Sequence, residues 1–218
     1  GVSVQAESGI VIDADTGTVL WGQNIHNQYF PASITKIMTA LIVIETCSLD
    51  ETVTFSHNAV FNVEAGSSNA GINEGDKLSV KDCLYALLLK SANEAANALA
   101  EHVAGSTEAF ADMMNAKAKE LGCTDTHFAN PSGLNDPEHY TSTYDMALIA
   151  RAAFLNPTFE EIDSTTYYKL PPNSINPEGL TIYPGHKMLK KSTPYYYPGI
   201  VGGKTGYTTL AGNTLVTC

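Results

Sequence analysis

The sequence predicts an α/β fold with strands at the two ends of the chain and helices between them. Two β-like segments near the N-terminus, residues 7–13 and 18–21, flank a turn rich in Asp and Gly. Near the C-terminus, residues 200–204 and 210–217 predict a second strand pair around the segment Gly206 to Thr209. The residues between these pairs contain apolar and alanine-rich runs of helical length. We therefore expect a helical middle joined to strands from both ends.

The predicted helices are marked by residues that favour helix ends. Pro31 fits a helix start, because its fixed φ suits the first turn. Ser79 and Thr143 are predicted N-caps, whereas Gly105 and Gly122 each follow a helical run and are typical C-terminal residues. The predicted helices are residues 37–44, 83–90, 93–104, 107–121 and 144–155.

Three further stretches are predicted to lack helices. Residues 62–77 are rich in Gly, Asn and Ser, and residues 124–140 contain several turn-forming residues, so both are predicted loops. Residues 167–197 contain five prolines and are predicted to be irregular or edge strand. Residues 52–55, before the first of these loops, predict a short strand.

Charge and composition restrict the classes of partner and cofactor. The formal net charge is −11, which makes nucleic acid and anionic membrane surfaces poor partners. No apolar run is long enough to span a bilayer. The four cysteines lack C-x-x-C spacing, so a zinc cluster is not expected and free buried thiols are favoured over disulfides. They are Cys47, Cys83, Cys123 and Cys218.

The first candidate for chemistry is the pair Ser33 and Lys36 in a Ser-x-x-Lys motif. Residues three apart on a helix share a face, so the two side chains should meet. A serine hydroxyl is a weak nucleophile until a base takes its proton. A lysine with a pKa lowered by burial or by positive neighbours can be that base. The motif alone is common, so its weight depends on the rest of the chain.

Two later motifs make a functional interpretation of Ser33 and Lys36 much more specific. Ser91-Ala92-Asn93 follows the apolar run 83–89, and Lys204-Thr205-Gly206 follows a glycine-rich segment. The motifs S-x-x-K, S-D-N and K-T-G are the signature of penicillin-binding proteins and class A β-lactamases. Ala92 makes the second motif of this chain the looser form S-x-N. Three such motifs far apart in one chain are much more specific than any one of them.

With these motifs placed, the chain resembles the low-molecular-mass penicillin-binding proteins, specifically the serine D-alanyl-D-alanine carboxypeptidases. The likeness covers nearly the whole chain and includes Gly133-Leu134, residues 139–147 and the extended motif 203–208. It implies a β-lactamase/transpeptidase-like fold: an antiparallel sheet built from both chain ends, with flanking helices, packed on an all-helical lobe. It thus implies one domain of two lobes, a sheet lobe (about 1–45 and 185–218) and a helical lobe (about 46–184).

The resemblance also implies catalytic roles. Ser33 attacks the carbonyl of the D-alanyl-D-alanine bond and becomes an acyl-enzyme, while Lys36 accepts its proton. Ser91 relays a proton towards the departing D-alanine, and Asn93 hydrogen-bonds Lys36 or the substrate amide.

Substrate binding is implied for the third motif and the residue after it. Lys204 keeps the site positive and Thr205 contacts the terminal carboxylate, within the binding segment that also includes Gly206 and Tyr207. The backbone N–H groups of Ser33 and Tyr207 form the oxyanion hole. An anionic substrate end needs fixed positive charge, and clustered cations lower one another's pKa, which helps Lys36 act as a base.

The implied function is removal of the terminal D-alanine of peptidoglycan stem peptides, with covalent inhibition by β-lactams and without a cofactor. The implied location is the bacterial cell envelope, outside the cytoplasm, with membrane association only through segments absent from this chain. Two alternatives are a β-lactamase and a non-catalytic sensor of β-lactam or peptide. The first is disfavoured because Glu160-Glu161 lacks the Glu-x-x-x-Asn pattern of a deacylating loop, and the second because a binder needs no nucleophile–base pair.

The other candidate side chains have structural interpretations. His139 is predicted to be a structural loop histidine, because no Asp-His-Ser order is apparent. The tyrosines 195–197 are predicted to pack against the sheet rather than line the cleft. In the resembled family one more strand and a closing helix follow the last strand predicted here, so we expect residues 1–218 to be a fragment truncated at its C-terminal end.

Overall fold

The computed structural model of the protein describes residues 3–218. Within that range helices occupy the middle of the chain, and antiparallel strand pairs lie at both ends. The helices are α1 (Lys36–Thr46), α2 (His57–Phe61), α3 (Val80–Leu89), α4 (Asn93–Ala104), α5 (Thr107–Glu120), α6 (Thr143–Phe154) and α7 (Pro157–Asp163). The strands are β1 (Gly9–Ile12), β2 (Val19–Gln23), β3 (Gln28–Tyr29), β4 (Thr52–Thr54), β5 (Lys77–Ser79), β6 (Thr141–Ser142), β7 (Tyr168–Leu170), β8 (Leu180–Ile182), β9 (Gly203–Thr208) and β10 (Gly212–Thr217). None of the described helices has the length and apolar character needed to cross a membrane.

The strand pairs at the two chain ends are separate hairpins. β1 pairs with β2 in a register that places Val11 opposite Trp21, and β9 pairs with β10 with Thr205 opposite Leu215. Between residues 3 and 218 no ladder of hydrogen bonds joins these two hairpins. Strands at both ends were predicted correctly, and among the described residues they form two hairpins without strand pairing between them. Three further antiparallel pairs are β3–β6, β4–β5 and β7–β8.

Several predicted boundaries are wrong. β9 begins at Gly203 and continues to Thr208, so the Lys-Thr-Gly motif lies inside a strand and not at its end. α6 is capped by Ser142, whose hydroxyl accepts a hydrogen bond from Asp145 N, and not by Thr143. Residues 167–197 are mostly irregular, as predicted, and contain the short β7–β8 strand pair and a 3₁₀ turn.

A helix that the sequence did not predict follows Asn156. The Asn-Pro pair ends α6 as expected, but the Asn156 side chain then accepts hydrogen bonds from Thr158 N and Phe159 N. Proline at the first position of a helix needs no N–H partner and has a suitable φ. The same pair of residues therefore ends α6 and begins α7. Glu160 and Glu161 lie on α7 and are exposed to solvent.

Helix α1 is the centre of the core. Its residues from Lys36 to Val43 are all buried, and it packs against α3, α4, α5 and α6. Four of the five alanines of α4 are also buried, and small side chains allow close approach of neighbouring helices. As a result the first residues of α1 and α4, Lys36 and Asn93, are held on a rigid support.

Candidate active site

The predicted nucleophile lies on a 3₁₀ turn, Ala32–Thr35, immediately before α1. Side chains three residues apart eclipse on such a turn, so Ser33 and Lys36 face each other. Lys36 Nζ lies 2.9 Å from Ser33 Oγ. The sequence predicted a shared helical face, and the tighter turn produces the same meeting of the two side chains.

Lys36 is fully buried and has a partner for each proton of an ammonium group. Its Nζ donates to Ser33 Oγ, to Asn93 Oδ1 at 2.7 Å and to the Ser132 carbonyl at 2.7 Å. Burial lowers the pKa of Lys36 well below its usual value, and the positive charge of Lys204 lowers it further. Glu94 acts in the opposite direction. The site thus favours loss of a proton from Lys36, which a general base requires.

The loop that supplies the Ser132 carbonyl was predicted as a loop, but its role was not. Asn130 Oδ1 accepts hydrogen bonds from Gly133 N at 2.9 Å and Leu134 N at 3.1 Å, which folds the loop back on itself. The Asn-Pro-Ser-Gly stretch is a visible turn signal. Nothing in it marks Ser132 as the residue whose carbonyl accepts from Lys36.

Glu94 is a second group that motif reasoning did not identify. It is buried in the first turn of α4, and its Oε1 accepts a hydrogen bond from Ala70 N at 2.6 Å. Burial raises the pKa of Glu94. Its position next to Asn93 in the sequence was the only available signal.

Ser91 has an unusual backbone and an unpaired hydroxyl. Its φ is +57°, in the left-handed region of backbone conformation that residues other than glycine rarely occupy. Its buried Oγ has no hydrogen-bond partner among residues 3–218, and the residue lines the cleft beside Ser33. A buried hydroxyl without a partner is expected to find one in a ligand or in water.

Strand β9 forms the opposite wall of the site. A Cβ atom at Gly206 would lie 2.9 Å from Ser33 N and 2.4 Å from Thr214 Oγ1, so only glycine fits there. Thr205 and the exposed Tyr207 flank this glycine and both line the cleft. The strand backbone therefore runs directly alongside the nucleophile.

The lysine of the third motif is buried behind that wall. Lys204 is 4% exposed, and its Nζ donates to the Thr205 carbonyl at 2.7 Å. Burial lowers the pKa of Lys204 to about 8, and the carboxylate of Asp163 partly opposes this change. Burial also raises the pKa of Asp163 to about 7. The hydrogen bond from Gly203 N and the positive charge of Lys204 act in the opposite direction and limit this rise.

These walls enclose an open cleft of about 820 Å³. Six of the eight predicted site residues line it, and the two lysines lie behind its surface. The six are Ser33, Ser91, Asn93, Thr205, Gly206 and Tyr207. The structure therefore brings all three motifs together at one cleft.

His139 and the tyrosine run have different outcomes. His139 Nδ1 accepts from Ala129 N at 2.9 Å, so its Nε2 carries the hydrogen that meets Thr35 Oγ1 at 2.8 Å. Both ring nitrogens are used structurally, as predicted, and burial lowers the histidine pKa to about 4. The predicted packing of the tyrosines 195–197 against the sheet is wrong, because they are exposed and Tyr195 lines the cleft.

The cysteines are free, as predicted, but not all buried. Cys83 is buried, Cys47 and Cys123 are half-buried, and Cys218 is exposed. Burial raises the pKa of the Cys123 thiol to about 12. None of the four thiols lines the cleft in the described part of the chain.

Comparison with known proteins identifies close sequence relatives. Residues 2–218 match the family model described as D-alanyl-D-alanine carboxypeptidase. The chain is 36% identical over 213 residues to D-alanyl-D-alanine carboxypeptidase DacB2 of Mycobacterium tuberculosis, covering 97% of this chain and 69% of the relative. It is 35% identical over 209 residues to D-alanyl-D-alanine carboxypeptidase DacF of Bacillus subtilis, covering 94% of this chain and 51% of the relative. The chain thus spans about half the length of the Bacillus protein.

Solved structures agree on the fold. The crystal structure of D-alanyl-D-alanine carboxypeptidase from Mycobacterium tuberculosis superimposes with a TM-score of 0.87 and 34% identity, covering 97% of this chain and 76% of that one. The Streptomyces K15 DD-transpeptidase superimposes with a TM-score of 0.90 and 31% identity, covering 99% of this chain and 85% of that one. The predicted α/β fold class is therefore confirmed.

Proposed function

Because the chain belongs to the D-alanyl-D-alanine carboxypeptidase family, we propose that it is a serine carboxypeptidase that removes the terminal D-alanine of peptidoglycan stem peptides. β-Lactams acylate the same serine, and the enzyme works outside the cytoplasm in the bacterial cell envelope. One observation carries the proposal: Lys36 Nζ lies 2.9 Å from Ser33 Oγ in a site that lowers the lysine pKa.

The first step is acylation of Ser33. The neutral amine of Lys36 takes the hydroxyl proton as Ser33 Oγ attacks the carbonyl carbon of the terminal peptide bond. The backbone N–H groups of Ser33 and Tyr207 stabilise the oxyanion, and such donors typically contribute about 3 kcal/mol each. The close approach of β9 to Ser33, which Gly206 permits, supports this arrangement.

The second half of acylation expels D-alanine. The C–N bond breaks while a proton passes from Lys36 through the Ser91 hydroxyl to the leaving nitrogen. The unpaired, buried Ser91 Oγ in the cleft supports this relay. Water then hydrolyses the ester, which releases the shortened peptide and restores the Ser33 hydroxyl. Asn93 holds Lys36 in position throughout.

Recognition of the substrate end depends on positive charge at β9. Thr205 contacts the terminal carboxylate in the cleft, and the buried ammonium of Lys204 supplies the attracting charge behind it. The overall charge of −11 would otherwise disfavour an anionic peptide. A free terminal carboxylate is therefore the feature that selects the substrate.

The positions of Glu160 and Glu161 disfavour the alternative that the protein is a β-lactamase. A deacylating carboxylate must reach the acyl-enzyme through one water. Glu160 and Glu161 are exposed on α7, and neither lines the cleft among the described residues. This arrangement favours slow deacylation of a bound β-lactam over rapid turnover.

The test combines mass spectrometry with product analysis. We expect brief exposure to a penicillin to add one adduct mass, located at Ser33 by peptide mapping, and Ser33→Ala to remove the adduct. The parent protein should release D-alanine from a stem pentapeptide and not from the C-terminally amidated peptide. Rapid repeated hydrolysis of penicillin would instead favour the β-lactamase, and an adduct without any D-alanine release would favour the sensor.

A further inference from the structure

Three side chains of different metal-ligand types converge where α1 and α4 end. Cys47 lies at the C-terminal end of α1, Glu51 precedes β4, and His102 lies in the last turn of α4. One ligand atom from each, Sγ, a carboxylate oxygen and an imidazole nitrogen, lies within 4.8 Å of the other two. His102 Nε2 is 3.1 Å from Glu51 Oε1. None of these atoms belongs to the cleft.

The backbone that carries these groups is fixed by hydrogen bonds. Cys47 N donates to Val43 O at 2.9 Å, which continues the α1 ladder to its last residue. Glu51 O accepts from Val80 N at 2.9 Å, which ties the turn to the start of α3. Ser48 N donates to Glu51 Oε2, so the other carboxylate oxygen is left to face His102. The turn is therefore preorganised around the three donors.

Donor distances and chemistry fit a thiophilic divalent cation. In a tetrahedral zinc site, bonds of about 2.0–2.3 Å place the ligand atoms roughly 3.3–3.8 Å from one another. The 3.1 Å separation of His102 Nε2 and Glu51 Oε1 needs to widen slightly, and the separations from Cys47 Sγ need to shrink by about 1.3 Å at most. The side chains of Glu51 and His102 are 42% and 23% exposed, which leaves them room to move. A thiol with an imidazole favours Zn²⁺ and similar ions over Mg²⁺ or Ca²⁺, which prefer oxygen ligands.

We propose that Cys47, Glu51 and His102 bind one Zn²⁺ or a similar thiophilic cation, with water as the fourth ligand. The thiol binds as thiolate, so its proton passes to solvent as the metal–sulfur bond forms, and no electron is transferred. α1 has 11 residues, so the site lies about 16 Å from the Lys36 end of that helix. The ion joins the far ends of α1 and α4, whose first residues Lys36 and Asn93 face the cleft. This site goes beyond the proposed peptidase function and does not depend on it.

The molecule contains matched controls for this site. His57 Nδ1 lies 2.9 Å from Glu74 Oε2, a histidine–carboxylate contact of the same kind. The searched residues place no third donor beside that pair. Cys218 is an exposed free thiol elsewhere in the chain. These groups report what an isolated His–Glu pair or an isolated thiol binds.

The test uses the whole protein after treatment with a chelator and a non-thiol reductant. We expect calorimetric titration with Zn²⁺ to give one tight site, and Co²⁺ to give a sulfur-to-cobalt charge-transfer band with tetrahedral visible bands. Cys47→Ser and His102→Gln should each weaken Zn²⁺ binding at least about tenfold and remove or alter the cobalt spectrum. His57→Gln and Cys218→Ser should leave both unchanged, and zinc should raise the thermal midpoint of the parent protein.

Several results would overturn the proposal. These are absence of stoichiometric binding, a cobalt spectrum without the sulfur band, or affinity that falls with Cys218→Ser and not with Cys47→Ser. If a ligand variant fails to fold, the cobalt spectrum of the parent protein still decides the question. Far-ultraviolet circular dichroism of each variant reports its fold independently of the proposed peptidase activity.

Discussion

Gly133 lies against Ala32 so closely that a Cβ atom on Gly133 would fall 2.0 Å from the Ala32 carbonyl oxygen. Both residues have positive φ, +93° for Gly133 and +54° for Ala32. The first is the normal use of glycine, whereas the second is a strained conformation for a residue with a side chain. The loop that presents the Ser132 carbonyl to Lys36 and the turn that carries Ser33 are therefore one packed unit.

The first prediction concerns that contact. Gly133→Ala should lower the free energy of unfolding by about 3 kcal/mol or more, because the new methyl group meets backbone that has little room to move. It should also slow acylation by penicillin, since the Ser33 turn and Ser132 would shift. Gly105→Ala is the matched control, with φ +86° and open space around it. It should cost about 1–2 kcal/mol without slowing acylation, and equal effects in both variants would contradict the argument.

The second prediction concerns Lys36 as the base. Burial and Lys204 lower its pKa, so the neutral fraction grows as pH rises through a value well below the usual value of about 10.4. The rate of acylation should therefore increase with pH through that lowered pKa. Lys36→Arg keeps a cation but cannot release a proton, and it should be nearly inactive. Substantial acylation by that variant in a stopped-flow or mass-spectrometric assay would assign the base to another group.

The sequence predicted which side chains meet at the cleft, because three motifs in a fixed order are specific and the first of them has a short spacing. Ser33 and Lys36 are three residues apart, and a 3₁₀ turn or an α-helix brings them to the same face. Local signals predicted the strands of the β1–β2 and β9–β10 hairpins, but these signals do not encode how the two hairpins are arranged. Strand pairing across the chain depends on long-range contacts, which local periodicity does not encode.

Groups that act through backbone or through tertiary contact were missed for the same reason. The Ser132 carbonyl binds Lys36 from 96 residues away, and any residue type there would supply a carbonyl. Cys47 and His102 meet only because α1 and α4 pack together. Their spacing in the sequence resembles no metal motif, which is why the sequence analysis did not single them out.

The third prediction separates backbone strain from function at Ser91. Ser91→Gly relieves the positive φ and should raise the free energy of unfolding by up to about 1 kcal/mol, while it removes the proposed relay and slows acylation. Ser91→Ala removes the same hydroxyl but keeps the strained backbone. Because Ser91 Oγ has no partner among the described residues, its loss should leave stability nearly unchanged. Chemical denaturation with acylation rates checks this, and full activity in either variant would exclude the relay.

The fourth prediction concerns recognition of the terminal carboxylate. Lys204→Ala should lower kcat/KM for a free-acid stem peptide roughly thirtyfold, which corresponds to about 2 kcal/mol, because the positive charge behind Thr205 is lost. Lys187→Ala is the control, since Lys187 also lines the cleft but is exposed and screened by solvent. Its effect should be severalfold smaller. If Lys187→Ala lowers kcat/KM more than Lys204→Ala does, the terminal carboxylate is recognised by Lys187 and not at β9.

The last prediction concerns Asp163, the buried carboxylate beside Lys204. Its pKa of about 7 lies above the unfolded value of about 4, so the folded state binds more protons between these pH values. The stabilising contribution of the protonated group is complete below about pH 4 and is lost as pH rises through about 7. Asp163→Asn should therefore be more stable than the parent protein at pH 8 and close to it at pH 4, as measured by thermal unfolding.

The same substitution should change the pH profile of catalysis. In the parent protein, kcat/KM for a free-acid peptide should fall as pH rises through about 8, where Lys204 loses its proton. Removing the Asp163 carboxylate removes the charge that supports the Lys204 ammonium, so this basic limb should move to lower pH. Glu161→Gln deletes an exposed charge from the same helix and should leave the limb in place. If both variants shift the basic limb of the pH profile equally, the shift results from the change in net charge. In that case Asp163 has no specific effect on the pKa of Lys204.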